Sequence, residues 1–370
     1  MRADMTGECS SPRDALRAVA VHHLAGARPV EWVAGSAEDD LALVDLAEAQ
    51  RVLGSLRDAV DSGAVTLGAP ALEHLAARHE AAMRWCLMIE ARLLEVREWF
   101  DAAGGVRHLV IKGPAIAHLD EATPESRSFA DLDLLVAAGD LDRAVAAVAS
   151  HGGSRPWEER RPGFDRRFAK SVTLASPDRI ELDLHRMLCD GVHGVRIPAA
   201  QLFASTESFD LGGERVAALS PPHRLLHSAY HAVLGSPTPA LHSLRDLAGY
   251  LSRPELSPSV IVPTARRWRG EAVLALAVRT TLGELPFRAP EWARWSGEVL
   301  LDPAELARID RQRRDGSSFG RSKVDMWREL PGVSDKAAYA LAVAWPSGAH
   351  LASRGTRRWR APGLRPRSGR

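Results

Sequence analysis

The sequence predicts an α+β protein in which a small mixed β-sheet core is flanked by N-terminal and C-terminal helical lobes. Apolar residues recur at helical spacing between Ala71 and Phe100. Short apolar runs bounded by turn residues follow over residues 106–188, and helical patterns return after residue 189. At 370 residues the chain is long for one domain, so we expect several structural units.

Composition and cysteine usage exclude several classes of protein. The net charge of +1 gives no overall field that would favour nucleic acid or membrane surfaces. The longest apolar run, Ala337–Trp345, is too short to cross a bilayer, and the first residues lack the apolar stretch of a signal peptide. Cys9, Cys86 and Cys189 are too far apart for a disulfide framework or a clustered zinc site. We therefore expect a cytoplasmic protein without membrane partners.

The first predicted unit, residues 1–103, is helical. Its clearest helix carries an apolar stripe whose members alternate spacings of three and four: Leu72, Leu75, His79, Ala82, Cys86, Ile89, Leu93, Val96 and Phe100. Gly104 and Gly105 then supply a helix end, because glycine adopts the left-handed conformation of a C-terminal cap. This lobe is predicted to pack without contributing chemistry.

The second predicted unit, residues 104–188, is the α/β core. The pattern predicts four strands and one helix: strands Val106–Ile111, Asp131–Val136, Lys170–Ala175 and Ile180–His185, and helix Leu141–His151. A helix is also expected to start at Gly113, after the first strand. Residues 176–179, Ser-Pro-Asp-Arg, form a good turn and predict a hairpin of the last two strands.

Two further units complete the predicted organisation. Residues 189–350 read as a C-terminal helical lobe with proline-rich joints. Residues 351–370 read as a disordered arginine-rich tail, since Arg354–Arg370 contains seven arginines and no acidic residue. Such a tail is also a candidate for phosphate or nucleic-acid contacts, and salt-sensitive binding lost on truncation after Ser353 would reveal it.

Two aspartates on the second strand are the first candidates for chemistry. Side chains alternate along a strand, so Asp131 and Asp133 share one face while Leu132 and Leu134 share the other. Like charges side by side are unfavourable unless a cation lies between them, and Mg²⁺ prefers carboxylate oxygens. The alternative is a solvated acidic face.

A second acidic cluster strengthens the metal interpretation. In the fourth predicted strand Glu181, Asp183 and His185 share one face. If this strand lies beside the second, Asp183 joins Asp131 and Asp133, which is the carboxylate set needed to bind two Mg²⁺ ions. His185 would orient the acidic site or contact substrate, or it is a histidine exposed at a strand end.

Basic residues near the first strand are candidates for phosphate binding. Lys112 and Gly113 follow that strand directly, and glycine allows phosphate oxygens to approach the backbone. Only four of the 48 basic residues are lysines, which makes Lys112 more notable: Lys112, Lys170, Lys323 and Lys336. Arg127 either binds a phosphate or pairs with an aspartate. Asp246 is expected to pair with a nearby basic group.

Three histidines at positions 223, 227 and 231 recur every fourth residue and line one helical face. His223 and His231 lie about 12 Å apart on a straight helix. One ion therefore does not bind all three, and a partly buried face of hydrogen-bonded histidines is expected.

The order of these motifs resembles the polymerase-β-like nucleotidyltransferase superfamily. The motif series "LVIKG…R…DLDLLV…ELDLH" looks like that of the branch called the uncharacterised nucleotidyltransferase family, and "LSPPHRLLHSAYHAVL…LRDLAGYL" is similar to its helical part. In that branch a Lys-Gly pair replaces the Gly-Ser pair of other members. The resemblance covers roughly residues 40–260. Pro114 departs from the superfamily, whose members often have a phosphate-binding serine there, and proline lacks an N–H.

The resemblance implies Mg²⁺-dependent transfer of a nucleoside monophosphate from an NTP to a hydroxyl-bearing acceptor. Asp131 and Asp133 would be metal ligands, Asp183 would be a ligand or the base for the acceptor hydroxyl, and Gly113 would hold the phosphate loop. The acceptor is a small molecule, such as a natural-product or antibiotic scaffold, or a protein side chain. It would lie in the cleft between core and helical lobes. The alternative is a catalytically inactive nucleotide-binding or regulatory protein on the same fold.

Overall fold

The computed structural model describes residues 11–30, 32, 36–314 and 321–355. Its six strands are β1 His108–Val110, β2 Leu132–Val136, β3 Ser171–Ala175, β4 Glu181–His185, β5 Thr206–Leu211 and β6 Glu214–Leu219. They form one mixed sheet in the order β3-β4-β2-β1-β6-β5. The expected fold class, a mixed sheet flanked by helices, is confirmed.

Helices make up most of the remaining described chain. Those before β5 are α1 Pro12–Val19, α2 Ala37–Ala49, α3 Leu53–Asp61, α4 Ala69–Ala102, α5 Pro114–Leu119, α6 Leu141–Ser150, α7 Phe164–Phe168, α8 Gly191–Val195 and α9 Ala199–Ala204. Those after β6 are α10 Pro221–Leu234, α11 Leu241–Leu251, α12 Pro258–Arg267, α13 Glu271–Glu284, α14 Pro290–Glu298, α15 Pro303–Arg314, α16 Arg321–Glu329, α17 Val333–Ala344 and α18 Gly348–Gly355. Within the described part, no helix combines the length and apolarity that a bilayer crossing requires.

The two faces of the sheet pack against different helices. Leu132 and Leu134 of β2 lie in a core that includes the C-terminal part of the α4 stripe, from Cys86 onward, and the buried side of α6. Leu109 and Leu135 point to the opposite face and join a larger core. That larger core contains residues of α1–α3 together with α10–α14, so the two helical lobes expected from the sequence pack against each other. Side chains alternate between the two faces of the sheet along each strand, and helices cover the sheet on both sides.

The sequence prediction of helices alone after residue 189 is wrong for residues 206–219. There β5 and β6 form an antiparallel hairpin, and β6 pairs in parallel with β1. Gly212 and Gly213, with φ of 60° and 85°, make its two-residue turn, since such hairpin turns need positive φ at both positions. The division of the chain into four units stays a prediction, although the sheet extends past residue 188.

The predicted tail, residues 351–370, overlaps the structure at its start. Residues 351–355 belong to α18, so the expectation of disorder is wrong for them. Residues 356–370, with most of the arginines, lie outside the described residues.

Candidate functional site

The sheet brings the two acidic motifs together. Strands β2 and β4 are parallel neighbours, and their register places Asp133 directly opposite Asp183 and Leu134 opposite Leu184. Because side chains alternate, the leucines enter the core shared with α4 while the carboxylates point to the other face, towards α10. The sequence prediction that a hairpin strand would lie beside the Asp-Leu-Asp strand is therefore confirmed.

Asp133 is the most enclosed carboxylate of the site, with 3% of the residue exposed. Lys112 Nζ donates a hydrogen bond to its Oδ2 over 3.0 Å, and His185 Nε2 donates to its Oδ1 over 2.6 Å. Burial by itself would raise the pKa of Asp133, but Lys112 and His185 outweigh it and hold this pKa well below the usual value. Asp133 is therefore an ionised carboxylate whose two oxygens each receive one donor.

His185 is fully buried and orients Asp133. Its Nδ1 lies 3.2 Å from the Met187 carbonyl oxygen and its Nε2 faces the Asp133 carboxylate, so both ring nitrogens face oxygen acceptors. These two contacts fix the orientation of the ring against Asp133. The sequence alternative of a histidine exposed at a strand end is wrong.

The remaining carboxylates concentrate negative charge on this face. Asp183 accepts a hydrogen bond from the Thr173 hydroxyl and is partly exposed. Burial and the Asp133 charge raise the pKa of Asp131. Burial, followed by the charges of Asp183, Asp131 and Asp133, raises the pKa of Glu181 to about 7. Because several carboxylates lie close together here, a bound cation would lower the electrostatic free energy of this face.

Three side chains offer atoms that fit a metal ion. One oxygen each from Asp133 and Asp183 and one nitrogen of His185 lie within 4.8 Å of one another. Carboxylate oxygens suit Mg²⁺, whereas imidazole suits softer divalent ions. Asp131 is not in this group of three, so its predicted part in metal binding stays a prediction. Lys112 would have to release Asp133 Oδ2 for a metal to bind there.

The segment after β1 forms a sharp turn around Gly113. Its φ of 49° and ψ of −110° lie outside the conformations that other residues adopt readily, and an added Cβ would meet the Phe129 ring at 3.3 Å. Pro114 has no N–H, and the Ala115 N–H donates to the Lys112 carbonyl oxygen over 3.0 Å. With these two backbone donors unavailable, phosphate binding at this turn depends more on side chains.

Arg127 forms a buried, two-pronged ion pair with Asp246. Its Nε and Nη2 donate to the two carboxylate oxygens over 2.8 Å and 2.9 Å, and both side chains are 6% exposed. Of the two roles left open by the sequence, the structure thus contains the pairing with an aspartate, and Asp246 has the basic partner expected for it. A phosphate contact by Arg127 stays a prediction.

Two cavities meet at Lys112 and His231, which line both. The first, which we name the loop cavity, lies between the Gly113 turn and helices α10 and α11; its wall also includes Asp131 and Arg127. The second, which we name the lysine cavity, lies towards β3 and α16. Its wall includes Lys170, Arg313 and Lys323 besides the two shared residues. The carboxylate site therefore lies beside a cleft with two arms.

The three histidines of α10, His223, His227 and His231, have different surroundings. His223 stacks on Trp268, with ring centroids 5.6 Å apart, and contacts the Ser220 hydroxyl. His227 Nδ1 donates to the Ile111 carbonyl oxygen. Among the described residues the three histidines form no group that could hold a metal, and His223 and His227 are buried as expected.

Sequence reasoning missed His242, a residue of α11 that lines the loop cavity. Its ring lies 6.4 Å from that of His231, and its buried Nδ1 has no hydrogen-bond partner among the described residues. Burial, followed by the charge of Arg127, lowers the pKa of His242 to about 3. A buried nitrogen without a partner is costly and marks a place where a ligand can bond. No pattern in the sequence indicated it.

The comparison with protein families agrees with these observations. The family model described as uncharacterised nucleotidyltransferase matches residues 36–281. The chain belongs to this family. The match covers the whole sheet, the carboxylate site and helices α10 and α11. No curated protein matches the chain significantly.

One solved structure is similar to this nucleotidyltransferase family member. It is described as an antigenic nucleotidyltransferase-like protein from Paracoccidioides brasiliensis. The two share 14% sequence identity, the alignment covers 55% of this chain and 96% of the other, and the TM-score is 0.32.

Proposed function

We propose that this family member is a metal-dependent nucleotidyltransferase that moves a nucleoside monophosphate from an NTP to a hydroxyl-bearing acceptor. The acceptor is a small molecule, including a natural-product or antibiotic scaffold, or a protein side chain. The observation that carries the proposal is the register that places Asp133 against Asp183, with Asp131 close beside them, where burial and the charges of both raise its pKa. Carboxylates held side by side at a cleft are the donor set that Mg²⁺ and nucleotide phosphates require.

In the proposed reaction the acceptor oxygen forms a bond to the α-phosphorus of the NTP. The bond from that phosphorus to the bridging oxygen breaks, and pyrophosphate leaves with its electron pair. The acceptor hydroxyl loses its proton, which we assign to Asp183 because this carboxylate is the more exposed of the opposed pair. A divalent metal, held by Asp133 and Asp183 with Asp131 beside them, would neutralise phosphate charge when bound.

The protein side chains supply positioning for this step. The Gly113 turn and the loop cavity are proposed to receive the nucleotide phosphates, and the unpartnered His242 nitrogen is a candidate contact. Lys112 is charged next to Asp133: burial alone would lower its pKa, but Asp133 and Asp131 outweigh burial and raise it. We propose that Lys112 moves from Asp133 to a phosphate oxygen when nucleotide binds, which exchanges one anionic partner for another.

One observation favours a second candidate, a nucleotide-binding protein without catalysis. Both oxygens of Asp133 are already hydrogen bonded by Lys112 and His185, so the carboxylate is neutralised without a metal. Proline at position 114 also leaves the turn with one N–H fewer. Under this proposal the protein binds an NTP and transfers nothing.

Turnover separates the two candidates. The full chain is incubated with Mg²⁺ and each labelled NTP, with and without cell extract, and transfer of label to an acceptor is measured. Asp183→Asn is expected to reduce transfer by at least about 100-fold, because a group that holds charge in the transition state is lost. The matched control is Asp142→Asn, which removes an exposed carboxylate paired with Arg166. Mn²⁺ binding, monitored by electron paramagnetic resonance, gives a second readout that needs no acceptor.

Two outcomes would refute the catalytic proposal. In the first, wild-type protein binds NTP but no label reaches an acceptor in any extract, which supports the non-catalytic candidate. In the second, Asp183→Asn and Asp133→Asn transfer label as fast as wild type while thermal unfolding shows that both are folded. Asp133→Asn alone is insufficient, since it leaves buried Lys112 and His185 without their common anion.

A further inference from the structure

The lysine cavity concentrates a residue type that the chain otherwise hardly uses. Lysines occur at four positions, and Lys112, Lys170 and Lys323 all line this one cavity. They come from distant parts of the sequence: the end of β1, the start of β3 and helix α16. Folding has therefore gathered three of the four ammonium groups around one space.

Two of these ammonium groups form no ion pair with any residue that the structure describes. Lys112 is paired with Asp133, and Arg313, which also lines the cavity, lies 3.7 Å from Asp310. Within the described residues, Lys170 and Lys323 form no ion pair. Two half-buried cations that face one cavity repel each other, and an anion between them removes that cost.

The acidic side chain in the cavity wall does not cancel this charge. Asp190 is exposed, and its carboxylate accepts a hydrogen bond from the Gly191 N–H over 2.7 Å as the N-terminal cap of α8. The charges of Lys112 and Arg313 are balanced by their carboxylate partners. The positive charges of Lys170 and Lys323 then exceed the one negative charge of Asp190, so the cavity wall has a net positive charge. Clefts lined by one sign of charge attract ligands of the opposite sign.

The position of the cavity indicates which substrate would use it. The Gly113 turn and Asp131 line the loop cavity, whereas the lysine cavity lies towards β3, the strand that pairs with β4 and its Asp183. Asp183 is the group that we assign to the acceptor hydroxyl. The lysine cavity has a volume of about 280 Å³, against about 70 Å³ for the loop cavity, so it has room for a second ligand beside the nucleotide.

We infer that the lysine cavity binds a phosphate group of the acceptor, so that the substrate is a phosphorylated molecule whose free hydroxyl is presented to Asp183. This inference rests on the proposed function. Lysine ammonium groups bind phosphate as point charges, and two of them match the double negative charge of a phosphate monoester. A neighbouring cavity shares Lys170 and Lys323 and adds the rings of Phe164 and Tyr339, where an apolar part of the acceptor would pack.

Inorganic phosphate is the probe that tests this inference. Its binding to the full chain is measured by calorimetry in the presence of Mg²⁺ and a saturating non-hydrolysable NTP, and nucleotide binding is measured separately. Lys170→Met and Lys323→Met are each expected to weaken phosphate binding about tenfold or more, because each removes one charge-assisted contact. Nucleotide affinity is expected to stay within twofold. Lys170→Arg should restore part of the lost phosphate affinity.

The matched control is Lys336→Met, which makes the same chemical change at the fourth lysine. Lys336 lies over the Trp327 ring, 5.6 Å from its centroid, and does not line the lysine cavity. It is expected to leave phosphate binding unchanged. An equal loss in this control would overturn the inference, as would the absence of phosphate binding to wild-type protein.

The remaining outcomes separate the inference from the proposed function. If Lys170→Met and Lys323→Met weaken nucleotide binding instead of phosphate binding, the cavity holds NTP phosphates and the acceptor inference is wrong while the function stands. If wild type binds phosphate through these lysines but neither binds nor transfers nucleotide, the proposed function fails and the anion site remains.

Discussion

Loss of either partner in the Arg127–Asp246 ion pair is predicted to destabilise the protein strongly. The pair joins the loop before β2 to helix α11 through two hydrogen bonds of 2.8 Å and 2.9 Å. Both side chains are 6% exposed, so water does not replace a lost partner. Asp246→Asn therefore leaves a buried guanidinium without its counter-charge.

The expected size follows from burial. Removing one partner of a buried ion pair costs about 3–5 kcal/mol, because the other charge stays desolvated. The exposed pair Arg57–Asp61 is the comparison: its side chains are 43% and 56% exposed with a distance of 2.7 Å. Breaking an exposed pair of this kind costs less than about 1 kcal/mol. Two pairs at similar distances are thus predicted to differ in cost because they differ in burial.

The assay is urea-induced unfolding at neutral pH, followed by circular dichroism, for Asp246→Asn, Arg127→Met and the control Asp61→Asn. Burial alone would raise the pKa of Asp246, but Arg127 outweighs it and lowers this pKa. A lowered folded-state pKa contributes stability above the unfolded value of 3.8, and this stability is lost as the pH falls through the folded-state pKa. Neutral pH is therefore where the full contribution is measured.

The double variant Arg127→Met with Asp246→Leu decides whether the cost is electrostatic. Replacing both charges by apolar groups should recover most of the stability that either single variant loses. The reasoning is refuted if each single variant costs less than about 1 kcal/mol, or if the two losses simply add in the double variant.

Two further predictions concern the turn and the buried histidines. Gly113→Ala should destabilise the fold by at least about 1 kcal/mol, because an alanine would be strained at this backbone conformation; unfolding in urea measures this, and an unchanged midpoint would contradict it. Burial is the main cause that lowers the pKa of both His227 and His242 to about 3. As the pH falls below the unfolded value of 6.5, the unfolded chain binds protons first, so stability present above pH 6.5 is lost towards pH 3. Between about pH 7.5 and pH 5.5, protonation of the unfolded chain at each of these two histidines should lower the free energy of unfolding by about 1 kcal/mol. His242→Gln should reduce the total loss by about 1 kcal/mol, and an undiminished loss in this variant would exclude His242 as a source.

The local structure around the sheet was predictable because the sequence pattern is strong there. Gly104 and Gly105 follow the end of α4, and alternating Asp and Leu mark the carboxylate face of β2. The hairpin at residues 206–219 was missed although its Gly-Gly signal was present, because the surrounding sequence reads as helical. A two-residue glycine turn between alternating segments favours a hairpin in such a context.

Only part of the candidate site could be inferred from the sequence. The pairing of Asp133 with Asp183 follows from period-two alternation once β2 and β4 are neighbours. The burial of His185 against Asp133 depends on strand register and on the packing of α10, which residue spacing does not encode. The ion pair of Arg127 with Asp246 joins residues 119 positions apart and was left open for the same reason.

The sequence by itself determined which face of each strand carries charge, where the Gly113 turn lies, and which family the motifs resemble. These are local properties, set by side-chain alternation and by the backbone freedom of glycine. The tertiary structure alone decided that Lys112 and His185 enclose Asp133, and that three of four lysines meet in one cavity. It also left one nitrogen of His242 without a hydrogen-bond partner in the part of the chain that the structure describes. Such contacts depend on how the helices cover the sheet, because burial and charge pairing are properties of the packed molecule.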